Sequence, residues 1–76
     1  MEELVEYLAK GLVDKPDEVR VERVERDGTV VLELHVAPDE VGKVIGRQGR
    51  IARALRTLVR ASGARTNERA LLEIVS

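Results

Sequence analysis

Two glycines three residues apart, Gly46 and Gly49, bracket the polar pair Arg47 and Gln48; Lys43 and Ile45 stand just before them, Arg50 and Arg53 just after. The chemistry that these residue types suit is the capture of phosphate on a polyanion's backbone. Glycine has no Cβ, so another molecule's backbone can come close. A helix that begins at the second glycine offers unpaired N–H groups and a partial positive charge, both of which favour a phosphate. Catalysis fits poorly. The spacing of Gly42, Gly46 and Gly49 matches neither the Gly-x-Gly-x-x-Gly dinucleotide fingerprint nor the Gly-x-x-x-x-Gly-Lys-Ser/Thr phosphate loop. There is no cysteine, and the one histidine, His35, has no nucleophile at a useful spacing and no second ligand to suggest a metal. No enzyme, cofactor, metal or small-molecule substrate is therefore expected.

The charge distribution supports a polyanionic partner. Residues 1–40 carry five basic and twelve acidic side chains, a formal −7; residues 41–76 carry eight basic and two acidic ones, a formal +6. From Val41 to Asn67 there is no acid, while Lys43, Arg47, Arg50, Arg53, Arg56, Arg60 and Arg65 are all basic. A local basic face can bind polyphosphate on a protein whose net charge is only −1.

The elements that must position the turn follow from periodicity. Glu2 to Leu12 reads as an amphipathic helix, with Leu4, Val5, Leu8 and Leu12 on its apolar side, acids in its first turn and Tyr7 half-buried. Between Val19 and Val36 the period changes to two, with a hairpin turn at Asp27-Gly28. Val30, Leu32, Leu34 and Val36 share one strand face, and Val31, Glu33 and His35 the other. The first arm slips phase between Val21 and Val24, which predicts a bulge or an early strand end. Pro38, with Asp39 and Glu40, opens a short helix that stops at Gly46. A second helix runs from about Gly49 to Ser62, with Gly63 as its carboxy-terminal cap. At about 100° per residue, Leu58, Ile51, Ser62, Leu55, Val59 and Ala52 fall on one side, and Arg50, Arg53, Arg56 and Arg60 on another. A polar loop, Gly63 to Arg69, leads to a last strand around Ala70 to Val75. The order α-β-β-α-α-β, three strands packed on three helices, is a two-layer α+β domain occupying residues 1–76.

At 76 residues, folding buries only about 60% of the unfolded chain's surface. With no Phe or Trp, the core is built from Val, Leu, Ile and Ala. No apolar run approaches the roughly 20 residues that span a bilayer, and Met1-Glu2-Glu3 is not a signal peptide. A cytoplasmic protein without membrane contact is the expectation.

A helix–Gly-x-x-Gly–helix turn in this element order resembles the K-homology (KH) RNA-binding domain in its type II form. The likeness covers essentially the whole chain. The run Val44-Ile45-Gly46-Arg47-Gln48-Gly49-Arg50-Ile51-Ala52, the preceding Ala37-Pro38-Asp39 and the small size look like the stand-alone bacterial KH proteins of the KhpA type. The resemblance implies a groove for about four unpaired nucleotides, between the turn with its two helices and the sheet edge. Gly46 and Gly49 then admit the sugar-phosphate backbone, and Arg47 and Gln48 touch phosphates, with Lys43, Arg50 and Arg53 nearby. Val44, Ile45 and Ile51 floor the groove, with Val31 or Val36 as candidates from the strand. Arg56 and Arg60 either continue this surface or face solvent. Aromatic stacking, worth about 1–3 kcal/mol per base, is missing here, and the hairpin that forms the groove's far wall is short. Low sequence selectivity follows, in the manner of an RNA chaperone or post-transcriptional regulator. The resemblance also implies pairing, as a homodimer or with a larger KH protein of the Jag/EloR kind. A scaffold role, with a vestigial groove and little direct RNA binding, stands as the alternative.

Overall fold

The computed structural model describes residues 1–75. Helix α1 spans Glu2–Lys10, strands β1 and β2 span Arg20–Arg26 and Thr29–His35, and helix α2 is Val41–Ile45. Helix α3 is Arg50–Arg65, and β3 is Arg69–Val75. Short 3-10 turns at Pro16–Glu18, Pro38–Glu40 and Arg47–Gly49 join them. This is the α-β-β-α-α-β order that the periodicity predicts, in two layers.

The hairpin turn places Asp27 at φ 51° and Gly28 at φ 78°, the doubly positive geometry that matches the twist of the flanking strands. The ladder between β1 and β2 is continuous, from Arg20 opposite His35 to Arg26 opposite Thr29. The expected bulge is absent. Val21 pairs with Leu34 and Val24 with Val31, so the two valines simply serve opposite faces of the sheet. β2 is the central strand and pairs in parallel with β3, Thr29 against Arg69 through His35 against Val75.

One face of the sheet meets the helices. Val30, Leu32 and Leu34 of β2, Ala70 and Leu72 of β3, Val5 and Ala9 of α1, Val44 of α2, and Leu55 and Val59 of α3 form the core, with Leu32, Leu34 and Val44 fully buried. Each buried Val or Leu contributes about 1.5–3 kcal/mol. α1 buries Val5 and Ala9 and leaves Tyr7 75% exposed. The half-buried tyrosine of the sequence reading is thus corrected. The seam of α1 is centred on Val5 and Ala9, and Tyr7, two residues from each, is carried to the flank.

α3 also runs further than expected. Gly63 is not its cap but lies inside the helix, buried, and a Cβ there would stand 2.8 Å from both Ala70 Cβ and the Glu68 carbonyl oxygen. Its role is to let α3 lie close against β3. The helix closes at Thr66, and Asn67, at φ 59°, turns the chain.

Candidate nucleic-acid interface

α2 ends at Gly46, whose φ of 77° and ψ of 173° lie in a region that a side chain rarely adopts. A Cβ on Gly46 would meet Ile51 Cγ1 at 2.7 Å, so this glycine also makes room for Ile51 to pack. Gln48 (φ 57°) and Gly49 (φ 72°) continue in the left-handed region, after which α3 starts at Arg50. Nothing lies within 4 Å of where a Gly49 Cβ would be. The tip of the turn is therefore open to solvent at Gly49, while the Arg50 N–H at the start of α3 donates to the Arg47 carbonyl oxygen.

The side chains around the turn are brought together as the spacing predicts. Arg47, Gln48, Arg50 and Arg53 are all exposed, and Gly49 and Ile45 half-exposed. Arg53 Nη2 donates to the Gln48 carbonyl oxygen at 3.3 Å, and Arg50 Nη2 to Gln48 Oε1 at 3.4 Å. The two guanidiniums are thereby gathered beside the tip. Val44 and Val36, by contrast, are core residues, and Val31 lies buried on the sheet's opposite face. Of the expected floor, only Ile45 and Ile51 keep partial exposure beside the turn.

Ion pairing separates the two halves of the chain. Lys10, Lys15, Arg20, Arg23 and Arg26 each pair with a carboxylate. Among the described residues, Arg47, Arg50, Arg53, Arg56, Arg60 and Arg65 make no such pair.

Lys43 belongs with the paired group. Its ammonium donates to Asp14 Oδ2 and, at 3.2 Å, to Glu40 Oε2. Glu40 is 3% exposed and accepts the backbone N–H of Asp14 at 2.6 Å and of Lys15 at 3.0 Å. The Asp14 N–H first, then Lys43 and the Lys15 N–H, hold the Glu40 carboxyl below its ordinary value against the opposing effect of burial. Asp14 and then Glu40 raise Lys43 above the ordinary lysine value. This knot ties the loop after α1 to the start of α2, and so steadies the helix that carries Gly46. Sequence reasoning assigned Glu40 to the helix dipole alone, since its partners lie 25 and 26 residues away.

Beyond the turn, the arginine face of α3 borders the edge strand. Arg56 and Arg60 stand beside Ala70, Leu71, Leu72 and Glu73, and Arg69 extends the strip past Ala64. Period-two alternation could have marked Leu71 as outward-facing; its place beside the arginines depends on the parallel pairing. On the other flank of α3, Leu8 and Leu12 face Ile51, Ala54, Leu55 and Leu58 across an apolar groove of about 440 Å³.

The family described as "KhpA/KhpB, KH domain" matches residues 2–74. The chain is 55% identical to the RNA-binding protein KhpA of Aquifex aeolicus, over 99% of this chain and 95% of that one. It is 51% identical to the protein of the same name from Clostridium acetobutylicum, over 99% and 100%. The corresponding figures for Treponema pallidum are 53%, 97% and 92%. No solved structure matches at a significant level. With a fold of type II KH topology and the paired-glycine turn at its expected place, this chain belongs to the KhpA/KhpB family of KH-domain proteins.

Proposed function

We propose that the chain binds single-stranded RNA, with the whole chain acting as one KH domain and with little sequence selectivity. In this reading Gly46 and Gly49 admit the backbone, Arg47, Gln48, Arg50 and Arg53 meet successive phosphates, and Ile45 lends apolar contact. Lys43, paired with Asp14 and Glu40, acts by positioning α2. The observation that carries the reading is the unpaired state of the α3 arginines, in a protein whose first-half cations are all neutralised by acids. Six unpaired guanidiniums on and beside one helix repel each other unless a polyanion meets them. The relatives' shared name, RNA-binding protein KhpA, supports the same conclusion. Lack of aromatic stacking partners favours a general clamp, suited to a cytoplasmic RNA chaperone or post-transcriptional regulator rather than to catalysis. Anisotropy titration of a labelled, unstructured RNA strand, with its duplex as competitor, tests this. Saturable, salt-sensitive binding that the duplex fails to compete is expected, and equal preference for the duplex would overturn it.

Pairing with another KH chain, self or larger, rests on the α1–α3 groove. Leu4 and Tyr7, 43% and 75% exposed, lie on the same side of α1 as Leu8 and widen its apolar border. Ala54→Arg places a charge in the groove and leaves the core intact, since Ala54 is exposed. Light scattering should show the wild type as a pair and the variant as a single chain. A variant that still pairs would remove the groove from consideration.

A further inference from the structure

The face of the sheet turned away from the helices carries a row of three glutamates. Glu22, Glu33 and Glu73 are direct neighbours across β1, β2 and β3. Like charges directly opposite one another destabilise a sheet, so such a row calls for cations. Two arginines supply part of the answer. Arg20 Nε pairs with Glu22 Oε1 at 3.0 Å, and Arg26 Nη2 with Glu33 Oε2 at 3.1 Å. Each carboxylate thus gives one oxygen to a guanidinium and keeps the other free. The free oxygens, Glu33 Oε1 and Glu22 Oε2, face the same atom, His35 Nε2, at 3.7 and 3.9 Å. That nitrogen is buried and, among the described residues, has no hydrogen-bond partner. All three ligand atoms lie within 4.8 Å of one another.

We propose that Glu22, Glu33 and His35 form a binding site for a divalent metal ion of the zinc class. A neutral imidazole nitrogen with two carboxylate oxygens is a mixed N/O donor set. It suits zinc and its neighbours in the transition series better than calcium or magnesium, which take oxygen alone. Zinc bonds of about 2.0–2.2 Å in tetrahedral geometry hold ligand atoms roughly 3.4 Å apart. The two sides that meet at His35 Nε2, 3.7 and 3.9 Å, need contract only by a few tenths of an ångström, and the side between the two carboxylates, at most 4.8 Å, closes by rotation of the exposed Glu22 side chain. Arg20 and Arg26 orient the carboxylates from behind, as outer partners do in metal sites. Glu22 is exposed, so a fourth position opens to water. His35 alone offered no second ligand in the sequence; the hairpin register brings one from the facing strand and one from two residues away.

The test uses the full chain without an affinity tag, stripped of metal and titrated with zinc chloride by calorimetry. Heteronuclear NMR of the His35 ring runs alongside. One equivalent of zinc should bind, with a shift of the His35 ring signals. His35→Gln and Glu22→Gln should each weaken binding by at least tenfold and melt like the wild type. Should His35→Gln fail to fold, Glu22→Gln carries the test, since its side chain is exposed. Arg47→Asp with Gln48→Asp should bind zinc as the wild type does. Absence of saturable binding, wild-type affinity in either single variant that folds, or an unmoved His35 signal would overturn the assignment.

Discussion

Arg47→Asp combined with Gln48→Asp tests the turn without touching its scaffold. Both side chains are exposed, and among the described residues Arg47 makes no ion pair. Gln48 sits at φ 57°, a conformation that aspartate accepts more readily than most residues. Folding stability should change by less than about 0.5 kcal/mol. The effect on binding follows from counterion release. If Arg47, Arg50 and Arg53 each neutralise one phosphate, the logarithm of affinity falls against the logarithm of salt with a slope of about −0.7 × 3, or roughly −2. Raising salt fourfold then weakens the wild type by roughly fifteen- to twentyfold. Loss of one phosphate contact brings the slope to about −1.4 and costs about fivefold at 0.1 M salt. Each new carboxylate repels phosphate with a comparable factor, and the one at position 48 also engages Arg50, whose Nη2 already reaches that side chain. Together the changes should weaken binding on the order of a hundredfold at 0.1 M salt. Anisotropy at four salt concentrations, with a melting curve for each protein, measures every quantity named. Affinity within twofold of the wild type and an unchanged slope, in a variant that melts normally, would refute the phosphate-clamp reasoning.

Gly46→Ala should destabilise the fold by at least about 2 kcal/mol. The backbone conformation costs about 1–3 kcal/mol for a side chain, and overpacking against Ile51 adds a similar amount. A domain of this size then melts about 10 °C lower or more; an unshifted melting point would remove the steric account. Glu40→Gln concerns pH. The Glu40 carboxyl is held below its ordinary value in the folded state, so its stabilising effect is fully present above the unfolded value of about 4.3 and disappears as pH falls through the folded one. The urea midpoint of the wild type should therefore drop below about pH 4, while the variant starts lower at neutral pH and changes less over that window. Parallel pH profiles for the two proteins would contradict the role given to the Asp14–Glu40–Lys43 knot.

What could be read from the sequence is local. Asp27-Gly28 forces a hairpin through its own φ values, and the Gly46-to-Arg53 stretch carries its turn, its charges and its helix start within eight consecutive residues. The order of elements followed from periodicity for the same reason. What escaped notice depends on neighbours far along the chain. Gly63 looked like a helix cap because its real constraint, the approach of Ala70, comes from another element. Lys43 looked like a free cation because Asp14 lies 29 residues away. Val21 and Val24 seemed out of phase only because the second face of the sheet also has an apolar patch, at Val31. His35 seemed solitary until the register set Glu22 beside it.

The parallel pairing of β2 with β3 has a consequence for how the protein assembles. Thr29 and Arg69 are partners across forty residues, and closing a loop of that length costs about 3 kcal/mol of chain entropy before its contacts form. The hairpin closes over two residues, so β1 and β2 gain their pairing early and β3 docks late. The paired-glycine turn lies inside the long loop, threaded between the strands whose union seats it. During synthesis the turn leaves the ribosome before β3 does, and until that strand arrives α2 and α3 lack the part of their bed that Ala70 and Leu72 supply. The geometry of the turn is therefore expected to be complete only once β3 has docked.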